Sequence, residues 1–273
     1  MNYLYSIIFG IVQGITEFLP ISSSGHLVIL HNIIKIPIRD EMAFDVFLHL
    51  ATLLSLLYFF RKDVWLLLKS WVLSFVGKKS EASKLSWLIF VATIPAVIFG
   101  LLFNDYIEKN LHEGSSAILI VAIAMAVVGA LFILAEKYSK KISAISELNQ
   151  KKSILIGFSQ AIALIPGVSR SGITIISGLF VNLKREEAVK FSFLLSMPII
   201  FGASVKNFPD MFNAGMNAEE LKIAAVAFVF CFFAGLAAIK YLLLFSRNNK
   251  LNVFAYYRFA LAFALVIWYI VKL

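Results

Sequence analysis

The sequence has little charge and a single cysteine. Of its 273 residues only 15% are charged and 60% are hydrophobic, whereas soluble domains average about 25% charged and about 45–50% apolar residues. Together with a mean hydropathy of +0.88, this excludes an ordinary soluble protein and indicates a membrane protein. One cysteine, Cys231, excludes an internal disulfide. The first ten residues contain no Lys or Arg, so we expect no cleavable signal peptide.

The charge that is present is mostly positive. There are 25 Lys and Arg residues against 16 Asp and Glu, a net charge of +9. In a soluble protein this excess would suggest nucleic acid as a partner. Here apolar runs separate the basic residues, so we expect contact with anionic membrane lipids and no nucleic acid.

Long apolar runs predict membrane-spanning helices. A run of 19 residues reaches about 28 Å as a helix, close to the bilayer core of about 30 Å. The predicted spans are residues 42–60, 85–103, 117–135, 191–205, 223–239 and 251–271. Arg258 interrupts the last span. Residues 64–76 form a shorter run flanked by basic residues, which predicts a helix at the membrane interface.

Loop charges predict the orientation, because short cytoplasmic loops are rich in Lys and Arg. Residues 61–84 carry six basic residues, 104–116 one and 136–152 five. Residues 206–222 carry two bases against three acids, and 240–250 carry three bases and no acid. The alternation predicts that both termini lie on the external face.

Two parts of the sequence resemble each other at an offset of 147 residues. Six of sixteen positions are identical: Gly10, Gln13, Ile15, Ser22, Ser24 and Gly25 match Gly157, Gln160, Ile162, Ser169, Ser171 and Gly172. Three predicted crossings separate the copies, so the second would enter from the opposite face. We therefore predict an all-α polytopic protein with about six spanning helices. Its single membrane domain would contain two inverted repeats, about 1–135 and 153–273, joined by the linker 136–152.

Each repeat begins with an apolar stretch that a polar cluster interrupts. Proline and glycine at the interruptions disfavour a continuous helix, and irregular backbone at membrane depth is tolerated where it lines a cavity. Residues 7–34 and 154–183 are therefore predicted to form two re-entrant helix-loop-helix hairpins. A pair of proline-kinked spanning helices is the alternative.

The first interruption carries candidate catalytic groups. Gln13 and Glu17 are four residues apart and share a helix face. A carboxylate in a membrane helix costs about 2.5–3.5 kcal/mol, which indicates a function for Glu17; reaching out to the interface is the alternative. His26 follows three serines and could act as base, acid or nucleophile, or only as a structural hydrogen-bonding group.

The second interruption has the composition of an anion site. Arg170 lies among Ser169, Ser171 and Thr174 at the start of an apolar segment. Helix N-termini and guanidinium groups both bind phosphate, although an arginine there could also be a helix-end anchor. Because the two repeats are inverted, we predict that Arg170 and Glu17 meet.

Charge balance at this meeting point predicts a divalent cation. Arg170 alone cannot neutralise both Glu17 and a phosphate. We expect Mg²⁺ or Ca²⁺ held by Glu17, with Gln13, and bridging phosphate oxygens. Asp45 and His49 are four residues apart on the first predicted span, where they either support the site or make a polar helix contact.

Residues 13–26 (QGITEFLPISSSGH) and 166–172 (PGVSRSG) together strongly resemble the two signature motifs of the bacterial undecaprenyl-diphosphate phosphatases of the bacitracin-resistance type. The resemblance extends to chain length, span pattern and residues 256–259 (YYRF). It implies a plasma-membrane enzyme that removes the terminal phosphate of undecaprenyl diphosphate with a divalent cation. Such an enzyme recycles the cell-wall lipid carrier and confers bacitracin resistance.

The resemblance also implies roles for individual residues. Glu17, Ser23, His26 and Arg170 would be catalytic, with Ser23 as a nucleophile; the attacking group stays open between Ser23, His26 and a cation-bound water. The residues implied in phosphate binding are Ser22, Ser24, Ser169, Arg170, Ser171 and Thr174. The family has Glu or Gln at the first acidic position, and Gln13 is the poorer metal ligand of the two, which leaves Glu17 as the stronger.

The sequence thus predicts a phosphatase whose cleft opens on the external side. His26 would take a proton from Ser23 or water. The expected partners are the polyprenyl diphosphate, membrane lipids and a second copy of the chain. A lipid-carrier flippase is the alternative, because broken helices and inverted repeats are typical of transporters. An intramembrane serine protease fits less well, since Arg170 suits a phosphate better than a peptide carbonyl.

Overall fold

A computed structural model describes residues 2–107, 117–213 and 215–272. Within these ranges the chain forms eleven α-helices, one short 3₁₀ helix (Ile145–Glu147) and no β-strand, which confirms the predicted all-α class. The α-helices are α1 (Asn2–Phe18), α2 (Ser23–Ile33), α3 (Glu41–Phe59), α4 (Arg61–Ser74), α5 (Glu81–Ile107), α6 (Ala117–Tyr138), α7 (Gln150–Ile162), α8 (Arg170–Phe180), α9 (Arg185–Asn213), α10 (Ala218–Asn248) and α11 (Asn252–Lys272).

Six of the described helices are long and apolar enough to cross a membrane: α3, α5, α6, α9, α10 and α11. They coincide with the six predicted spans, and the protein is a multi-pass membrane protein. Most of these helices extend beyond the apolar runs into polar flanks. α10, for example, begins five residues before residue 223, because Asn217 caps it and accepts hydrogen bonds from the amides of Glu219 and Glu220.

The predicted interface segment is the 14-residue helix α4. It packs against α5 and leaves Trp65, Leu66 and Val72 exposed. Apolar side chains on its outer surface suit a lipid environment. Its position at the membrane interface stays a prediction.

Both predicted interruptions are present as helix-loop-helix pairs, α1 with α2 and α7 with α8. The second helix of each pair starts with the same geometry. Ser22 and Ser169 cap α2 and α8 with φ of 75° and 71°, and their hydroxyls accept from the amides of Gly25 and Gly172. Non-glycine residues in this left-handed region carry about 1–3 kcal/mol of strain. Whether the pairs turn back inside a membrane stays a prediction.

Two glycines that lie 147 residues apart each make a close contact with another helix. A Cβ at Gly10 of α1 would lie 2.2 Å from the carbonyl oxygen of Ala227 in α10, and one at Gly157 of α7 would lie 2.3 Å from that of Ala92 in α5. Only glycine permits such an approach. The matched contacts support an internal repeat, while its boundaries and its inverted arrangement stay predictions.

The remaining helices enclose these pairs. α3 packs against both α9 and α10, α6 packs against α11, and α8 packs against α9. The buried carboxylate of Glu136 accepts two hydrogen bonds of 2.7 Å from Arg185 and one of 3.0 Å from the amide of Leu251. These bonds join the C-terminal end of α6 to the N-terminal ends of α9 and α11.

Replacing Gly10 or Gly157 by alanine is expected to lower the melting temperature of the detergent-solubilised protein by several degrees. Each added methyl meets backbone, which cannot yield as a side chain can, and overpacking costs about 1–3 kcal/mol. Gly100→Ala and Gly202→Ala are the matched controls, because nothing lies within 4 Å of a Cβ at either position. Melting curves in which all four variants behave alike would contradict the close approach.

Candidate active site

The two interruptions meet at the carboxylate of Glu17, near the end of α1. Ser23, the first residue of α2, donates from its hydroxyl to Glu17 Oε2 at 2.7 Å. Arg170, the first residue of α8, donates from Nη2 to Glu17 Oε1, and from Nη1 to the carbonyl of Ser196 at 3.3 Å. The predicted contact between Glu17 and Arg170 is therefore present, and the N-termini of two helices converge on one acid.

Glu17 is only 6% exposed, and further polar groups surround it. Gln13 Nε2 donates to Oε2 at 3.1 Å, and His49 Nε2 lies 3.6 Å from the same oxygen. Burying an unpaired carboxylate would be very unfavourable. Arg170, Ser23 and Gln13 together compensate for this burial, which explains how an acid is retained inside an apolar protein.

Both ring nitrogens of His26 have partners. Nδ1 lies 2.7 Å from the carbonyl oxygen of Ser22, and Nε2 lies 2.7 Å from the hydroxyl of Tyr257. Neither partner is Ser23, whose hydroxyl is bonded to Glu17. The proton transfer expected between Ser23 and His26 thus has no hydrogen bond to follow in this arrangement.

The remaining hydroxyls predicted to bind phosphate differ in exposure. Ser24, like Ser23, is partly exposed, and its Oγ lies 3.3 Å from that of Ser22. Ser22 and Ser169 are buried and act as helix caps. Among the residues predicted from the sequence, the open face of the site is formed by Ser23, Ser24, His26 and Arg170.

Two further predicted hydroxyls are buried and engaged with protein groups. Ser171 Oγ donates to the carbonyl of Leu19 at 3.3 Å, which links the second interruption to the first. Thr174 Oγ1 donates to the carbonyl of Arg170 at 2.7 Å and lies 2.6 Å from Ser192 Oγ. Their direct role in phosphate binding stays a prediction, and in this structure they position the helix starts.

Arg258 of α11 also belongs to the site, although it lies outside both interruptions and is not among the residues predicted for the site. Its side chain is fully buried and donates to the carbonyl oxygens of Met125, Pro20, Gly167 and Val168 at 3.2, 3.1, 2.7 and 3.0 Å. It therefore binds the backbone of both interruptions at once. An arginine within a predicted span was the available signal, since such residues are usually functional.

Asp45 and His49 have different partners. His49 Nδ1 lies 2.8 Å from the backbone carbonyl of Asp45, while the carboxylate of Asp45 is 3.1 Å from His31 Nε2. His49 thus faces Glu17, and Asp45 joins α3 to α2. His49 therefore lies at the site, whereas Asp45 makes a polar contact between helices.

The donor set for a divalent cation is small. The described residues contain no group of three or more His, Cys, Asp and Glu side chains arranged to hold a metal. Gln13 Oε1, however, is buried beside Glu17 and has no hydrogen-bond partner. An amide oxygen and one carboxylate suit Mg²⁺ or Ca²⁺, which take oxygen ligands, and Mg²⁺ usually completes its shell with waters and substrate phosphates. Glu17 and Gln13 therefore fit a divalent cation that the protein and a substrate phosphate bind jointly.

Comparison with known proteins points to one family. The family model for the bacitracin resistance protein BacA matches residues 6–264. The chain is 42% identical to an undecaprenyl-diphosphatase of Thermodesulfovibrio yellowstonii over 265 residues, which cover 97% of this chain and 96% of that protein. It is 40% identical over 272 residues to an undecaprenyl-diphosphatase of Caldicellulosiruptor bescii, covering 100% of this chain and 99% of the relative. The chain therefore belongs to the BacA family of bacitracin resistance proteins.

Proposed function

We propose that the protein hydrolyses undecaprenyl diphosphate to undecaprenyl phosphate and inorganic phosphate. Its family and the names of its relatives support this reaction. The observation that carries the proposal is the convergence of Arg170, Ser23 and the N-termini of α2 and α8 on Glu17. A guanidinium and two helix N-termini at one partly open site suit a phosphate.

Substrate binding rearranges the pairing of Arg170. In the structure its guanidinium bonds to Glu17 Oε1, and a terminal phosphate competes for it with two or three oxygens and more charge. Bidentate binding of phosphate by arginine is strong and directional. The exchange places the phosphate beside Ser23 and releases Glu17 Oε1 from Arg170, while Oε2 keeps the hydrogen bond from Ser23 and can accept its proton.

The hydrogen bond from Ser23 to Glu17 Oε2 supports Ser23 as the nucleophile. Its Oγ bonds to the terminal phosphorus, its proton passes to Glu17, and the bond from that phosphorus to the bridging oxygen breaks to release undecaprenyl phosphate. Water then attacks the phosphoserine. Glu17 returns its proton to Ser23 Oγ, one water hydrogen stays on the released phosphate, and the other leaves to solvent.

A divalent cation would be held by Glu17 and Gln13 Oε1. When bound, it neutralises negative charge on the phosphate oxygens. Arg170 supplies the same kind of stabilisation from α8, and the amides at the first turns of α2 and α8 add partial positive charge. The support for a cation is the unpartnered buried oxygen of Gln13.

The apolar outer surface supports a lipid substrate. α1 exposes Ile11 and Ile15 on the turns that precede Glu17, an apolar stripe along which the prenyl chain lies. The positive loops 61–84 and 136–152 support a plasma-membrane location with the site opening on the external face. There the reaction recycles the cell-wall lipid carrier and confers bacitracin resistance. Pairing with a second copy stays a prediction.

Glu17→Gln, Arg170→Lys and Ser23→Ala are each expected to reduce phosphate release from undecaprenyl diphosphate at least about 100-fold, since each removes a group that acts in the transition state. The assay uses purified protein in detergent. The matched controls Glu186→Gln and Arg247→Lys alter an exposed ion pair of 2.7 Å and should retain activity. If the protein were a flippase without hydrolase activity, even the unsubstituted protein would release no phosphate from undecaprenyl diphosphate.

Chelation of divalent cations is expected to abolish phosphate release, and Mg²⁺ or Ca²⁺ to restore it. Gln13→Glu should lower the cation concentration that gives half-maximal activity, because a second carboxylate adds a charged oxygen ligand. Gln13→Leu should raise that concentration. If a chelator leaves phosphate release unchanged in the native protein and in both variants, the reaction does not need a divalent cation.

A reporter fused after residue 273 is expected to lie outside the cytoplasm, so that alkaline phosphatase is active there and green fluorescent protein is dark. The physical reason is the excess of Lys and Arg in the alternate loops. A fusion within residues 139–149, in a positively charged loop, is the control and should give the opposite pattern. A cytoplasmic C-terminus would reverse the proposed orientation.

A further inference from the structure

The pairing of His26 with Tyr257 goes beyond the motifs of the two interruptions. The hydroxyl of Tyr257 in α11 lies 2.7 Å from His26 Nε2. The two rings are parallel to within 8°, with centroids 5.8 Å apart. Tyr257 belongs to neither repeat motif but to the YYRF element, residues 256–259, and the packing of α11 brings it to the site.

The other ring nitrogen determines the direction of this bond. Nδ1 of His26 lies 2.7 Å from the carbonyl oxygen of Ser22. A carbonyl oxygen only accepts, so Nδ1 carries the hydrogen. In the neutral ring Nε2 then has only a lone pair, and the hydroxyl of Tyr257 donates to it.

Tyr257 is held where it can make this bond. Its neighbour Arg258 is fully buried and donates to carbonyls of both interruptions, including Pro20 and Gly167. That arrangement anchors one turn of α11 against the site. Tyr256, on the other side of Tyr257, is 61% exposed and Tyr257 is 44% exposed.

We propose that Tyr257 is a further residue of the active site, which positions His26 by donating its hydroxyl hydrogen to Nε2. This deepens the proposed function and rests on it. The bond keeps the ring in the tautomer with Nδ1 protonated and occupies the lone pair that would otherwise compete for the hydrogen of Ser23. Ser23 consequently donates to Glu17, as its 2.7 Å bond shows.

The site thus contains two separate sets of hydrogen bonds, one around Glu17 and one around His26. In the first set, Glu17 accepts the hydrogen bond from the attacking hydroxyl of Ser23. Tyr257 and His26 form a second, fixed wall on the open face, supported by the Ser22 carbonyl at the start of α2. Without the tyrosine hydroxyl the imidazole would be held at Nδ1 alone, with its Nε2 lone pair free to accept the hydrogen of Ser23. Loss of that hydroxyl should therefore disturb chemistry more than binding.

The test compares Tyr257→Phe with Tyr256→Phe, each of which removes one hydroxyl and keeps the ring. The first readout is the rate at which diethyl pyrocarbonate modifies His26 in the detergent-solubilised protein, followed by peptide mass spectrometry with His31 as internal reference. Because the reagent attacks a free ring lone pair, Tyr257→Phe should accelerate modification of His26 several-fold. Tyr256→Phe should leave it unchanged.

The second readout is steady-state phosphate release from undecaprenyl diphosphate. Tyr257→Phe should reduce kcat roughly tenfold or more with KM within about twofold, because the freed Nε2 of His26 would compete with Glu17 for the hydrogen of Ser23, whereas the tyrosine hydroxyl does not bind the phosphate. Tyr256→Phe should retain both constants. A purely structural role for the hydroxyl would alter stability without exposing the lone pair of His26.

The outcomes separate the two proposals. Equal modification of His26 in Tyr257→Phe and the unsubstituted protein overturns the hydrogen bond. Faster modification with unchanged kcat overturns the positioning role. Absence of phosphate release by the unsubstituted protein overturns the proposed function, and the modification rates then still decide whether Tyr257 holds His26.

Discussion

The ion pair of Glu17 with Arg170 is the interaction on which the rest of the site depends. Each group alone would be a charge taken out of water, and an isolated buried charge is strongly destabilising. Because the acid belongs to the first interruption and the guanidinium to the second, neither half can bury its charge without the other. The pair also holds the acid and the cation at one point with Ser23. In our proposal a substrate phosphate displaces Glu17 from Arg170, so the contact that pairs the two charges is the one that the substrate exchanges.

The backbone around this pair imposes a second constraint. Interrupting a helix frees carbonyl and amide groups, which need partners inside an apolar protein. Arg258 supplies donors to carbonyls on both interruptions, and the serine caps at Ser22 and Ser169 satisfy amides at the cost of left-handed backbone. Strain of this kind persists where surrounding structure enforces it and is concentrated at functional sites. Here it places two helix N-termini against one carboxylate.

The chemistry of the site was partly readable from residue types. Glu17 and Arg170 stood out because charged residues are costly in apolar segments, and the offset of 147 residues placed them in matching parts of a repeat. Residue types alone do not show which hydroxyl bonds to which acceptor. Ser23 and His26 are three residues apart and were expected to exchange a proton, yet Ser23 bonds to Glu17 and His26 bonds to Tyr257. Such choices depend on ångström-scale approaches between helices that are distant in sequence.

The all-α class, the six apolar helices and the two interruptions can be predicted from the sequence, because they follow from local properties: the length of apolar runs and the conformational limits of proline and glycine. By contrast, the contact of α11 with the site and the hydrogen bonds from buried Arg258 to both interruptions are seen only in the folded protein. The same holds for the contact between the hydroxyls of Thr174 and Ser192. Those outcomes depend on which helices pack together, and packing is set by contacts between residues far apart in the chain, which no local pattern encodes.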